Sequence, residues 1–117
     1  YILGRVLDYV SLKPKDGVKV ELYIYDNEQD KYVLAPMKEQ SWSNPYIVPI
    51  RLGGYYTFWP KEIKAKEQSS HTKEKVNFKI GVNDEYEEEF TLELFTDKII
   101  RNYISTNFSY ELNPILI

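Results

Sequence analysis

The sequence predicts an all-β chain, folded as an antiparallel two-sheet sandwich of seven or eight strands. Three observations predict it. Apolar residues recur at every second position, the period of a strand with one face on a core. Turn formers break these runs at short intervals, the spacing of a sandwich. The chain has 117 residues, 43% of them hydrophobic and 15% aromatic. That is too apolar for disorder and enough for one core. No internal repeat or long linker divides it, so residues 1–117 read as a single domain.

The elements follow in order. Ile2 to Leu7 reads as an opening strand, with Ile2, Gly4 and Val6 on one side. Pro14 to Gly17 turns the chain. Val18, Val20, Leu22 and Ile24 then alternate with Lys19, Glu21, Tyr23 and Tyr25. Asp26 to Asp30 is polar and suits a hairpin loop before the short strand Tyr32–Ala35. Asn44-Pro45 and Pro49 punctuate the middle, and Gly53-Gly54 precedes the aromatic strand Tyr55 to Trp59. Pro60 ends that strand because it cannot donate to a central ladder. A lysine-rich polar segment, Lys61 to Lys75, leads to the alternation of Val76, Phe78, Ile80 and Val82. Phe90, Leu92 and Leu94 repeat it, as do Phe108, Tyr110 and Leu112. Residues 97–104 suit two readings. Ile99, Ile100, Tyr103 and Ile104 have helical spacing with Thr96 as a cap and Asp97 in the first turn, yet their β-branched side chains also suit a strand.

Gly4-Arg5-Val6-Leu7-Asp8, then Pro14, then Gly17-Val18-Lys19-Val20-Glu21-Leu22, and later Gly54-Tyr55-Tyr56-Thr57-Phe58, form a recognisable series. It resembles the carboxypeptidase regulatory-like domain, a transthyretin-like (prealbumin-like) β-sandwich. In that family a G-x-V-x-D strand leads through a Pro-containing turn to a G-V-x-V-x-L strand, and a G-x-Y/F-x-F strand follows. The resemblance implies a fold and no catalytic residues. It also implies a spacer, adhesion or assembly role in a secreted or envelope protein. Val6, Val20, Leu22, Tyr56 and Phe58 are expected in the core, and Gly17 and Gly54 in backbone geometry that a Cβ disfavours. The stretch Asp26 to Gly53 is longer than the family's usual link.

Composition excludes several functions. With 15 basic and 18 acidic residues the net charge is −3, without the basic excess of a nucleic-acid binder. No apolar run approaches the length of a membrane-spanning helix. There is no cysteine, hence no disulfide, thiolate metal site or cysteine nucleophile. The chain opens on Tyr1 rather than Met, as expected of a processed or trimmed product with any signal peptide or lipid-bearing cysteine upstream.

The chemistry-bearing residues read as bland. His71, the single histidine, lies in a polar loop without the orienting partner and pocket that a general base needs. Asp84, Glu85, Glu87, Glu88 and Glu89 read as a solvated run in which no two carboxylates differ enough to divide acid and base roles. Asp26 to Asp30 alternates oxygen donors, but Lys31 stands where a calcium loop needs glycine. No metal or cofactor is expected. Asn107-Phe108-Ser109 fits the glycosylation acceptor pattern but falls on an expected strand. Asn83 to Asp97 carries seven acidic residues and no Lys or Arg, which reads as edge protection, with partner steering as the alternative.

Aromatics are the informative excess, with 11 Tyr, 5 Phe and 2 Trp. Alternation sends Tyr23 and Tyr25 outward on one strand and Tyr55 and Trp59 outward on another. Placed in one sheet, these four would form an aromatic strip for stacking on sugars or anchoring a protein. The insertion bringing Trp42, Tyr46 and Ile47 is expected to cover it. The expectation is therefore a non-catalytic binding or structural module of an exported or cell-envelope protein. It would act through protein contacts, with a carbohydrate-binding module or an edge-assembled envelope subunit as alternatives. The partner is expected to be another protein or a glycan.

Overall fold

The computed structural model describes residues 1–15, 17–37, 47–49, 54–61, 63–64, 73–97, 103–104 and 108–117. Among them are eleven strands: β1 (Ile2–Leu7), β2 (Lys19–Asp26), β3 (Lys31–Leu34), β4 (Ile47–Pro49), β5 (Tyr55–Phe58), β6 (Ile63–Lys64), β7 (Lys73–Val82), β8 (Tyr86–Asp97), β9 (Tyr103–Ile104), β10 (Tyr110–Glu111) and β11 (Ile115–Leu116). Seven are three residues or longer, and β6, β9, β10 and β11 are two-residue additions.

The strands form two sheets. In the four-stranded sheet β1 lies between β5 on one side and β10 and β11 on the other. The seven-stranded sheet runs β3-β2-β7-β8-β9-β6, with β4 also on β2. Most pairs are antiparallel, as expected. The exception is the C-terminal segment, which runs parallel to β1: Ile2 is opposite Tyr110 and Val6 opposite Ile115. Parallel neighbours need a long connection between them, and here nearly the whole chain supplies it.

Local chemistry explains the hairpins. In the β2–β3 loop, Asp26 Oδ1 accepts the Glu28 N–H at 2.9 Å and Oδ2 accepts Gln29 Nε2 at 2.9 Å. The carboxylate that could have joined a cation site thus builds the turn. The β7–β8 turn places Asn83 and Asp84 at φ 53° and 59°, a left-handed conformation that Asn and Asp tolerate. Asn83 also staples this turn to β2, its Oδ1 accepting the Lys19 N–H at 2.8 Å. Gly17 and Gly54 take φ 74° and 75°, the positive values their places in the sequence anticipate.

Two expectations change. Asp97 belongs to β8, and residues 103–104 form β9, paired antiparallel with Thr96 and Asp97. The ends of the helix considered over 97–104 are therefore strand, a ladder winning over helical spacing, and residues 98–102 lie outside the described residues. Glu87, Glu88 and Glu89 are in strand β8, not in a solvated loop, and Lys73 and Lys75 are in β7 opposite Phe95 and Glu93. The glutamates 87–89 and the last residues of the lysine-rich segment, 73–75, are thus on the two arms of one hairpin.

Both sheets share one buried cluster. Ile2, Val6, Tyr56, Phe58 and Ile115 meet Val18, Val20, Leu22, Ile24, Phe78, Ile80, Val82, Leu92 and Leu94 in it. Val6, Val20, Leu22, Tyr56 and Phe58, the five residues expected in the core, are buried. Phe78 stacks on Phe90 at 5.4 Å between ring centroids, and Phe90 on Tyr110 at 5.8 Å, so one aromatic column joins β7, β8 and β10. Tyr56 crosses the backbone of β1 at Gly4, where a Cβ would stand 2.0 Å from its hydroxyl oxygen. That hydroxyl is buried and has no hydrogen-bond partner among the described residues.

Candidate functional site

The four outward aromatics do not form one strip. Tyr23 and Tyr25 are on β2 in the seven-stranded sheet, and Tyr55 and Trp59 belong to the β5 segment of the four-stranded sheet. Leu22 and Tyr56, their inward neighbours, share the core between the sheets. The two pairs consequently face opposite sides of the molecule. On the four-stranded side, Tyr55 is 44% exposed beneath the Arg5 guanidinium, 5.1 Å from its ring centroid. Trp59 is half-buried with its ring 6.4 Å from that of Tyr1. Trp42 and Tyr46 lie outside the described residues.

The seven-stranded side is the richer surface. The hairpin register puts Tyr25 opposite Tyr32, and the β2–β7 register puts Tyr23 opposite Lys79. Tyr25 and Tyr32 meet edge to face at 5.3 Å and 78°. Lys79 Nζ lies 4.8 Å from the Tyr23 ring centroid and 5.0 Å from that of Tyr32, so one ammonium serves two rings. It also reaches Glu87 Oε1 at 3.5 Å. Tyr23 lies against Gly81, where an added Cβ would stand 3.4 Å from the ring. Its hydroxyl donates to Glu21 Oε2 at 3.1 Å, and Lys19 Nζ stands 3.2 Å from Glu21 Oε1. The Tyr25 hydroxyl donates to Asp30.

These contacts hold the phenols in their neutral form. Partial burial, then the Glu21 hydrogen bond, raises the Tyr23 hydroxyl above its ordinary pKa. For Tyr25 the bond to Asp30 is the leading cause of a rise, and for Tyr32 it is burial followed by the charge of Glu89. Lys19 is raised by its bonds to Asp84 and then Glu21, and so stays charged.

Sequence reasoning found Tyr23 and Tyr25 but missed Tyr32 and Lys79. Tyr32 was within reach, because a hairpin closed by Asp26 and Lys31 sets Tyr32 across from Tyr25. Lys79 was not, because its place beside Tyr23 depends on β7 being the neighbour of β2. His71 lies outside the described residues. Among the described residues no group of three or more His, Asp or Glu side chains could hold a metal ion, and no helix is long and apolar enough to cross a membrane. Comparison with known families, curated proteins and solved structures finds no match to this chain.

Proposed function

We propose that this chain is a non-catalytic, transthyretin-like binding or structural module of an exported or cell-envelope protein, acting through protein–protein contacts. The observation that carries the reading is the ordered tyrosine face of the seven-stranded sheet, formed by Tyr23, Tyr25 and Tyr32 around Lys79. Tyrosine offers a large, stiff contact area with a polar tip, which suits it to interfaces. Rings already fixed by a cation and by carboxylates lose little freedom when a partner docks. Leu34, 42% exposed at the margin of this face, adds apolar area. Export is supported by the likeness of the Gly4–Asp8, Gly17–Leu22 and Gly54–Phe58 segments to envelope and secreted domains.

The test compares the wild-type chain with Tyr25→Ser/Tyr32→Ser as bait in a cell-envelope extract, with folding of both checked by circular dichroism. A partner held by the wild type and lost by the folded double variant supports the reading. Identical capture by both overturns it. A fluorescence titration of Trp59 and Trp42 with polysaccharides separates the glycan alternative, since saturable binding there would replace protein by sugar as the ligand.

A further inference from the structure

The outer edge of β8 offers a second surface. β8 pairs with β7 residue for residue from Tyr86 to Phe95. Its other edge pairs with β9 only at Thr96 and Asp97, and among the described residues no strand pairs with that edge from Tyr86 to Phe95. Such an edge presents a row of N–H and C=O groups able to take on one more strand.

The side chains along it are not neutral about what that strand can be. Glu87, Glu89 and Glu93 share the outward face with Thr91, while Phe90, Leu92 and Leu94 point toward the core. Glu88, on the core-facing side, stays exposed and accepts the Tyr86 hydroxyl at 2.8 Å. A second copy of this edge would set glutamates against glutamates, and like charges opposite one another destabilise a strand pair. The strand that β8 already holds shows what fits. β7 sets Lys79 opposite Glu89 and Lys75 opposite Glu93, with Val76, Phe78 and Ile80 on the inner face.

We propose that the Tyr86–Phe95 edge is a docking site for an extended segment of another protein, with Lys or Arg at alternate positions and apolar residues between them. The segment would pair its backbone with β8 and set its cations against Glu87, Glu89 and Glu93. This rests on the binding-module reading and deepens it by naming a second surface and a partner chemistry, at the β8 edge of the same sheet whose outer face carries the tyrosines.

The probe is a synthetic peptide copying residues 73–82, the sequence of β7, with a control peptide in which the three lysines become glutamates. Amide hydrogen exchange on the whole chain reads the edge directly. In the free chain, alternate amides of 86–95 should exchange fast, because among the described residues only those facing β7 are bonded. Saturation with the lysine peptide should slow that fast set by about tenfold or more, and binding should weaken as salt rises. Glu89→Gln/Glu93→Gln should lower affinity by roughly three- to tenfold while β7–β8 protection persists. The proposal is overturned if all β8 amides are slow in the free chain, if both peptides bind alike, or if protection falls elsewhere. Failure here with loss of partner in the Tyr25/Tyr32 variant removes the edge alone, and the converse pair of results removes the tyrosine face alone.

Discussion

The two sheets of this molecule are held by different means. The seven-stranded sheet is built on hairpins. β2 turns into β3 and β7 into β8 through short polar loops, and each strand repeats inward apolar residues against outward Tyr, Lys and Glu. The four-stranded sheet has no such local pairing. β1 finds β5 in mid-chain and β10 and β11 at the far end. Its fit depends on close approach, the Tyr56 ring lying on Gly4 and Gly54 so near the Val6 carbonyl that a Cβ would stand 2.5 Å from the oxygen. One sheet is specified by a repeating pattern, the other by single residues that nothing else can replace.

Substitutions can break that contrast. Phe78→Ala empties a fully buried position in the column joining both sheets, and should cost about 4 kcal/mol in chemical denaturation. Gly4→Ala should cost nearly as much, about 3 kcal/mol, although it adds one methyl group, because that methyl meets the Tyr56 ring. The same change at Gly81, on the pattern-built sheet, meets Tyr23 only at 3.4 Å. It should be tolerated far better, and equal losses at the two glycines would refute the contrast. Tyr56→Phe works the other way. Removing a buried, unpartnered hydroxyl should raise stability by about 1 kcal/mol, measured as a higher denaturation midpoint at unchanged slope. On the outer face of the larger sheet, Lys79→Met should cost about 1 kcal/mol, the loss of two partly exposed ring contacts and one ion pair.

Titration gives the smallest and most diagnostic effect. Tyr23, Tyr25, Tyr32 and Tyr86 are raised above the ordinary tyrosine value of 10.0, and burial raises Tyr56 much further. A fold that prefers the protonated phenol keeps that stabilisation in full below pH 10 and loses it as pH climbs through the folded values. Denaturation midpoints should therefore fall above pH 10, together with the appearance of tyrosinate absorbance. At the acid end, backbone N–H donors lower Asp8 (Ser11 first) and Asp26 (Glu28 first) below 3.8. Their support is present above that value and fades as pH falls through the folded values, a modest loss because both carboxylates are exposed.

The same contrast explains what could be read from the residues alone. Val20, Leu22, Ile24, Val76, Phe78 and Ile80 announced their strands and their buried face because a two-residue period is local information. Tyr56 and Phe58 were legible as core for the same reason. The period does not say which sheet a strand joins, so Tyr23 and Tyr25 could not be separated from Tyr55 and Trp59 until β5 was seen beside β1. Nor does it foresee parallel pairing, since nothing in Tyr110–Glu111 or Ile115–Leu116 points to the opposite end of the chain. Between 97 and 104 helical spacing competes with β-branched content, and the ladder pairing Thr96 with Ile104 and Asp97 with Tyr103 makes the two ends strand. The tyrosine face was half legible, its Tyr25–Tyr32 contact following from hairpin register and its lysine from strand order.

The parallel seating of the C-terminal strands on β1 has a consequence for how the molecule is made. A ribosome delivers β1 well before β11, so the hairpins of the larger sheet can close as they emerge while β1 waits for its parallel partners. Until residues 110–116 arrive, the flank of β1 that they pair with is open to any passing chain. The tail thus acts as the latch of the architecture. A protease cut or frameshift within it would leave a largely assembled body with a sticky seam, and clumping would be the symptom rather than unfolding.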